Sequence, residues 1–153
     1  MTRIRTPHCF RVIALCASIV SGNTYAQLGS TIVEPSDPSH AAVMQHTQNG
    51  QLSFQESTDA NGISVRQYVG SSGDVYAVSW RGPAMPDVEA LLGSYYARYR
   101  NSASTSQAGN GLHASRVSQG DLVVESGVRL REFIGRAWLT SALPAGVTAS
   151  DIE

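Results

Sequence analysis

Alternation of apolar and polar residues predicts three strands in the first half of the chain. Residues 52–55 alternate as expected for a half-buried strand. Asn61-Gly62 follows and is typical of a tight hairpin turn, because both residues tolerate positive φ. A second alternating segment covers residues 63–69. After a Gly/Ser turn at residues 70–73, Val75 to Trp80 is rich in β-branched and aromatic residues. The pattern predicts a three-stranded antiparallel meander.

The apolar spacing then changes from strand to helix. Pro86 ends the sheet, and Asp87 stands where free N–H groups and the helix dipole favour an acid. The apolar residues that follow recur at helical spacing: Val88, Leu91, Leu92, Tyr95, Tyr96 and Tyr99. They predict a helix over residues 87–99 in which these six residues form one broad face, with the tyrosines packed in the core. Residues 101–114 are rich in Ser, Ala, Gly and Asn and predict a mobile loop.

Two further strands are predicted near residues 121–126 and 129–138. A connection at residues 126–128 would place Val124 opposite Leu130 and Glu125 opposite Arg129. Residues 139–153 suggest a turn and a short helical piece. The order β-β-β-α-β-β predicts an α+β domain, with an antiparallel sheet of about five strands and one main helix packed on it.

The first 26 residues have the three-part layout of a signal peptide. Basic residues precede an uncharged apolar run at 12–20, and small residues at 24 and 26 suit cleavage after Ala26. The run of nine residues is about half of the ~20 needed to span a bilayer, and no later segment comes closer, so no membrane span is expected in the mature chain. Residues 27–50 contain Pro35 and Pro38 and predict an extended lead-in, followed by a single domain at 51–153.

Removing the signal changes the composition. Of the 153 residues 127 remain, and three of the 11 basic residues are lost but none of the 12 acidic ones, so the net charge moves from -1 to -4. This length suits one domain, and the acidic balance argues against nucleic-acid binding. Cys9 and Cys16 both lie in the signal, so the mature chain is expected to have neither disulfides nor thiol chemistry.

Motifs for catalysis or metal binding are weak. The chain has no G-x-S-x-G, and a catalytic triad is not expected. His40, Met44 and His46 are spaced as a candidate metal site, but ordinary loop, core and strand-flank roles are favoured. Asp121 and Glu125 share one strand face, and ion pairing with Arg129 and Arg131 across the predicted hairpin is favoured over acid–base work. No cofactor and no metal are predicted.

The last strand places charges among large apolar groups. In a regular strand one face would carry Leu130, Glu132, Ile134, Arg136 and Trp138. A bulge between residues 132 and 135, or a half-exposed face, is the favoured explanation. The alternative is that Glu132 and Arg136 pair at a functional surface beside Trp138. The candidate residues for binding a ligand or partner are Trp80, Arg81, Glu132, Arg136 and Trp138.

Several motifs in a fixed order resemble one family of small exported proteobacterial proteins. They are residues 75–83 (VYAVSWRGP), Pro86-Asp87 through Leu91-Leu92-Gly93, residues 121–127 (DLVVESG), residues 135–139 (GRAWL) and residues 143–147 (LPAGV). Together they resemble the family catalogued as domain of unknown function 2844 (DUF2844) across nearly the whole mature chain. The resemblance implies a Gram-negative periplasmic or secreted protein of one domain. It implies no activity and no functional residues.

Two functions follow as hypotheses. The first is a non-enzymatic binding or interaction module of the cell envelope, with an unidentified envelope protein as its partner. The alternative is a small-ligand-binding or enzyme-accessory protein that uses the Trp80/Trp138 region. A concave pocket holding Arg136 and Trp138 favours the ligand, whereas an apolar patch or an unpaired sheet edge favours the partner. A true enzyme is the least favoured hypothesis.

Overall fold

The structure is a computed structural model that describes residues 27–32, 43–47, 50, 52–105 and 114–153. Its strands are β1 (Met44–His46), β2 (Ser53–Thr58), β3 (Ser64–Val69), β4 (Val75–Gly82), β5 (Ala114–Gln119), β6 (Leu122–Arg129) and β7 (Glu132–Leu139). Its helices are α1 (Val88–Leu92) and α2 (Tyr96–Thr105), with short 3₁₀ turns at Gly93–Tyr95 and Ala149–Asp151. The predicted signal peptide, His40 and most of the predicted 101–114 loop lie outside the described residues.

The strands form one antiparallel sheet with the order β1-β2-β3-β4-β7-β6-β5. Strands β1–β4 form one meander and β5–β7 a second, and the helices carry the chain from the middle of the sheet to its far edge. The predicted α+β class is confirmed, but the sheet has seven strands rather than about five. The two strands beyond those predicted are at the edges of the sheet, β1 and β5. The sequence had left an edge strand or a turn of helix open around residues 41–44, and β1 begins there. Strand β1 has only three residues and β5 has one buried side chain, Val117, so neither shows apolar alternation.

The first predicted hairpin is confirmed. Strands β2 and β3 pair from Ser53–Val69 to Thr58–Ser64, and Gly62 lies in the connecting turn with φ 77°. Asp59 holds this turn, because its Oδ1 accepts the main-chain N–H groups of Asn61 at 2.8 Å and Ile63 at 2.9 Å.

The second predicted hairpin has a different register. Strand β6 continues through Gly127 to Arg129, and the two-residue turn is Leu130-Arg131. The predicted pairs of Val124 with Leu130 and Glu125 with Arg129 are therefore wrong. Val124 is opposite Ala137, and Glu125 is opposite Arg136. The actual turn contains neither Asn nor Gly, whereas Ser126-Gly127 resembles a turn locally.

Strand β7 is regular. Eight consecutive residues pair with β6, from Arg129–Glu132 to Leu122–Leu139, so the bulge between residues 132 and 135 is absent. The first five residues of β7 are exposed or half-buried and the last three are buried. The sequence had favoured either a bulge or a half-exposed face for this strand, and the half-exposed face is the one found.

The helix begins as predicted and continues further. Asp87 caps α1 by accepting the N–H of Ala90 at 2.9 Å. The helix is broken at Gly93, which has φ 52° and lies so close to the side chain of Gln27 that a Cβ would overlap it. After this break α2 runs to Thr105, so residues 101–105 are helical rather than part of a loop.

The sheet is covered on both faces. On one face the helices pack over a core that includes Leu91, Leu92, Val78 and Trp80. On the other, residues 143–153, which we call the strap, pack over Tyr68, Tyr76, Trp138 and their neighbours, with Ile152 fully buried. The hydrophobic core is therefore in two layers with the sheet between them.

The described parts of the predicted lead-in contact the domain. Leu28 is buried in the helix-side core, and its N–H donates to the main-chain oxygen of Leu91 at 2.9 Å. Thr31 forms a β-bridge with Asp74. Strand β1 adds to the edge of the sheet along β2.

Candidate binding groove

The strap covers only part of its face of the sheet and leaves a groove of about 980 Å³ beside it. Because side chains alternate between the faces of a strand, every second residue of β3–β7 points to the face of the sheet that holds both the strap and this groove. Five arginines line it: Arg66 on β3, Arg81 on β4, Arg116 on β5, Arg129 on β6 and Arg136 on β7. Three side-chain carboxylates line it as well, those of Glu56, Glu125 and Glu153. The groove thus has two more arginines than glutamates.

Glu125 lies between two arginines from neighbouring strands. Its Oε2 accepts Nε and Nη2 of Arg136, both at 2.8 Å, and its Oε1 accepts Nη1 of Arg116. This arrangement follows from the register, because Glu125 is opposite Arg116 on one side and Arg136 on the other. Both guanidinium groups also lie over the ring of Trp138, at 5.8 and 5.5 Å from its centroid.

Arg136 also holds the strap. Its Nη1 donates to the main-chain oxygen of Ile152 at 3.1 Å and to that of Ala149. With Nε bound to Glu125, this guanidinium connects the sheet to the segment that covers it. Its loss would remove the donor to the Ile152 carbonyl and one of two donors to the Ala149 carbonyl, which also accepts the N–H of Ile152 at 3.3 Å. Arg136 therefore has a structural role.

Arg66 has a similar role on the other side of the groove. Its Nε donates to Glu56 at 2.8 Å and its Nη1 to the main-chain oxygen of Glu153 at 3.0 Å. Tyr68 and Ser79 donate to the same oxygen of Glu153, at 2.6 and 2.8 Å. The hydrogen bond from Arg66, helped by one from Ser64, lowers the pKa of Glu56 below its ordinary value.

The end of the groove beyond the strap has weaker internal pairing. Nε of Arg81 is 4.0 Å from Oε2 of Glu132, and both side chains are more than half exposed. The guanidinium of Arg129 is exposed and has no hydrogen bond or ion pair with any residue that the structure describes. Ile134 lies between these groups at the base of the groove. This end of the groove can accept an anion without breaking a strong internal contact.

The candidates predicted from the sequence lie on both faces of the sheet. Arg81, Glu132, Arg136 and Trp138 share the groove face. Trp80 belongs to the helix-side core, on the opposite face, with its ring over Gly135. The Trp80/Trp138 region is therefore not one surface.

The sequence suggested, as an alternative, that Glu132 and Arg136 pair at a functional surface beside Trp138. The structure shows neither that pair nor an exposed tryptophan. Glu132 is near Arg81 and Arg136 is bound to Glu125, so the two do not pair with each other. Both indoles are 3% exposed, and Nε1 of Trp80 has no hydrogen-bond partner among the described residues. A ligand in the groove would meet the guanidinium groups above Trp138 rather than its ring.

Sequence reasoning missed Arg66, Arg116 and Arg129 as groove residues. Arg66 alternates with apolar residues on a correctly predicted strand, so its face could have been inferred. Arg116 lies on a strand that the sequence pattern did not reveal, and Arg129 depends on the register of β6. Only the order of the strands brings these three arginines to one surface.

The other chemical candidates have ordinary partners. Asp121 accepts Arg98 at 3.0 Å and Ser141 at 3.1 Å, and chiefly the Ser141 hydrogen bond lowers its pKa. Asp121 and Glu125 were predicted to form ion pairs with Arg129 and Arg131. Asp121 instead contacts Arg98 and Ser141, and Glu125 contacts Arg116 and Arg136. Nδ1 of His46 lies 3.0 Å from Oγ of Ser53. Among the described residues no three His, Cys, Asp or Glu side chains are grouped for a metal ion.

The tyrosines at the helix end pack as predicted. Tyr95, Tyr96 and Tyr99 are partly buried against the helix-side core, and the guanidinium of Arg98 lies 5.1 Å from the ring centroid of Tyr95. In the part of the chain that the structure describes, no helix is both long and apolar enough to cross a bilayer.

A family model described as a protein of unknown function (DUF2844) matches residues 24–152. The family resemblance inferred from the sequence motifs is thereby confirmed. No curated protein matches the chain, and no solved structure matches it. The family description carries no activity, so the function has to be argued from the groove.

Proposed function

The chain belongs to the DUF2844 family, and we propose that it is an exported, non-enzymatic binding module of the cell envelope that takes an extended anionic ligand in the arginine-lined groove. The observation that carries this proposal is the surplus of guanidinium groups along the groove. Five arginines from five different strands meet three glutamates there. Guanidinium groups bind carboxylate and phosphate through paired hydrogen bonds, so an anionic partner fits this surface.

The groups that remain for a ligand lie at the open end. Arg66 and Arg136 are used by the strap, and Arg116 is bound to Glu125. Arg81 and Arg129 are exposed, and their internal ion pairing is weak or absent among the described residues. We therefore expect Arg81 and Arg129 to make the first contacts with the ligand, and the other arginines to provide a favourable field along the groove.

The chemistry of the groove supports binding rather than catalysis. Its described lining has only arginines and glutamates as charged side chains, with serine as the hydroxyl-bearing residue. Arginine stays protonated at neutral pH, and the hydrogen bond from Arg66 keeps the pKa of Glu56 low, so that this carboxylate stays ionised. These groups are suited to holding charge and poorly suited to transferring protons near pH 7.

The binding proposal is tested by isothermal titration calorimetry with octaglutamate, using octaglutamine as the uncharged control. We expect the Arg81→Gln/Arg129→Gln double variant to bind octaglutamate about tenfold more weakly, since exposed charge–charge contacts contribute up to about 1 kcal/mol each. The matched control is Arg100→Gln, which removes an exposed arginine from α2, on the other face of the sheet. Equal affinity of wild type and double variant would refute a role for the groove.

The length of the ligand separates this proposal from the alternative of a small-ligand or enzyme-accessory protein. An extended ligand that reaches along the groove predicts that affinity increases from diglutamate to octaglutamate. If diglutamate binds as tightly as octaglutamate, a small anion at the Arg81–Arg129 end is the better description. The original form of that alternative, which used Trp80 and Trp138 together, is not supported by two buried rings on opposite faces.

Export is tested separately. The expectation is that the protein expressed in a Gram-negative cell is recovered from the periplasm or the medium with Gln27 as its first residue, because the signal is cut after Ala26. N-terminal sequencing of the recovered protein measures this directly. Recovery of the uncut chain from the cytoplasm would contradict the proposed location but would leave the groove proposal intact.

A further inference from the structure

The tip of the β6–β7 hairpin, residues 128–132, has a backbone conformation that its side chains disfavour. Leu130 has φ 51° and Arg131 has φ 71°, and they are the two residues other than glycine with positive φ in the described chain. Two-residue hairpin turns of this kind are normally built from Asn-Gly or Asp-Gly, because a branched or long side chain crowds the backbone there. A leucine and an arginine at this turn therefore oppose local folding preference.

Packing does not explain the leucine either. Leu130 is 90% exposed, which is the largest exposure among the large apolar residues that the structure describes. Val128 on the same tip is 44% exposed. Water contacts with these side chains are unfavourable, and nothing in the described fold gains from them. Strain and exposed apolar surface at one position point to an intermolecular contact.

The charges around the tip indicate the kind of contact. Arg129 and Arg131 flank Leu130 in the chain, and Arg81 reaches the base of the tip beside Glu132. The apolar group thus has an exposed arginine on each side of it in the chain, at a tight turn. A protein pocket for Leu130 would have to bury or pair each of these guanidinium groups. A phospholipid surface lets the leucine enter the apolar boundary while the arginines extend to the head-group phosphates.

We propose that the β6–β7 tip docks on a bilayer surface containing anionic phospholipid, with Leu130 inserted and Arg129 and Arg131 on phosphate groups. The contact is peripheral, because one leucine and two arginines provide weak and reversible binding. This function is separate from ligand binding in the groove, although Arg129 belongs to both surfaces. It would place the groove near the membrane.

The decisive variant is Leu130→Asn/Arg131→Gly, which replaces the tip with the residues that this turn prefers. We expect the variant to be at least as stable as wild type, because the backbone strain is relieved. We also expect its partitioning onto vesicles of phosphatidylglycerol and phosphatidylethanolamine to fall by at least about tenfold, since it loses both the leucine and one basic group. Co-sedimentation measures the partitioning, and thermal unfolding measures the stability. The matched control is Val43→Asn, which removes an exposed apolar residue next to the opposite edge of the sheet and should leave binding unchanged.

A second variant reports on insertion without depending on loss of binding. Leu130→Trp puts an indole at the tip, and both native tryptophans are buried at 3% exposure and contribute a constant background. We expect its emission to shift to shorter wavelength with the anionic vesicles and not with vesicles of phosphatidylcholine alone. The proposal is overturned if wild type does not bind the anionic vesicles, if the Asn-Gly variant binds them as well as wild type, or if the new indole shows no shift. Cross-linking of the tip to a protein without vesicle binding would replace the membrane with a protein partner.

Discussion

Replacing Gly135 with alanine is expected to destabilise the fold, because the indole of Trp80 occupies the space that a side chain would need. A Cβ on residue 135 would lie 2.7 Å from the main-chain oxygen of Glu125 and closer still to Cζ2 and Cε2 of Trp80. Real Cβ atoms essentially never approach other atoms so closely, so something has to move. The ring is 3% exposed and the Glu125 backbone is part of the central sheet, so neither can move without disturbing its neighbours.

The cost can be estimated from the behaviour of overpacked cores. Forcing an extra methyl group into a packed interior costs about 1–3 kcal/mol, and a site with no flexible neighbour belongs near the upper limit. Alanine recovers roughly 0.5–1 kcal/mol relative to glycine in a strand, through lower entropy of the unfolded chain. We therefore expect a net loss of about 2 kcal/mol in the free energy of unfolding, or a fall in melting temperature of ~8 °C for a domain of this size.

Urea unfolding followed by circular dichroism measures this loss, and Gly70→Ala is the matched control. Gly70 does not have positive φ, and a Cβ at this position would have its nearest neighbour at 3.7 Å, which is ordinary contact. The Gly70 variant should therefore be within about 0.5 kcal/mol of wild type. A Trp80→Phe/Gly135→Ala double variant tests the cause, because the smaller ring lacks the overlapping carbons. The two substitutions should be coupled by at least about 1 kcal/mol. A Gly135 variant as stable as wild type, or additive effects in the double variant, would refute the steric explanation.

Three further predictions concern the strap side of the sheet. Ile152→Ala should lower the free energy of unfolding by about 3 kcal/mol in urea unfolding, because the fully buried isoleucine anchors the strap, and Ser150→Ala on the exposed side should have little effect. The hydrogen bond from Arg66 is the main reason that the pKa of Glu56 is lowered. The stability that the Glu56 carboxylate contributes is therefore present above pH 4.5, its ordinary pKa, and is lost as the pH falls through the folded-state pKa. The stability difference between wild type and Glu56→Gln should therefore shrink in acid, and a difference that does not vary with pH would contradict this. Burial raises the pKa of Tyr76 to about 12, so absorbance should show this tyrosine ionising later than the ordinary value of 10, and stability should fall as the pH rises from 10 toward 12. Tyr76→Phe should lose less stability over that range, and an equal loss in both proteins would be evidence against burial as the cause.

Elements with strong local signals were predictable from the sequence. The Asn61-Gly62 turn, the strand from Val75 and the cap at Asp87 depend on residues close together in the chain, and all three are found in the structure. The edge strand β5 was missed because its exposed residues are small or polar and only Val117 is buried. The β6–β7 turn was misplaced because Leu130-Arg131 has the opposite of the usual turn preference.

The candidate site was predictable only in part, because local patterns identify charged residues within strands but not which strands lie side by side. Arg81, Glu132 and Arg136 were recognised as charges in apolar strands, and the structure places them on one face. Trp80 was grouped with them because it precedes Arg81 in the chain, although neighbouring residues of a strand point to opposite faces. The contribution of Arg66, Arg116 and Arg129 required the order and register of five strands, which no local pattern specifies.

The sequence by itself determined the family, the α+β class and the hairpin and helix starts, because turn propensity, capping and periodicity act over a few residues. The tertiary structure decided that β7 lies between β4 and β6, that the strap covers only part of one face, and that five arginines meet beside it. These features depend on which apolar faces are buried against each other, and that free energy belongs to the whole chain rather than to any segment. The charged groove is a consequence of this packing, since the face that the strap leaves uncovered is the one where arginines can remain in contact with water.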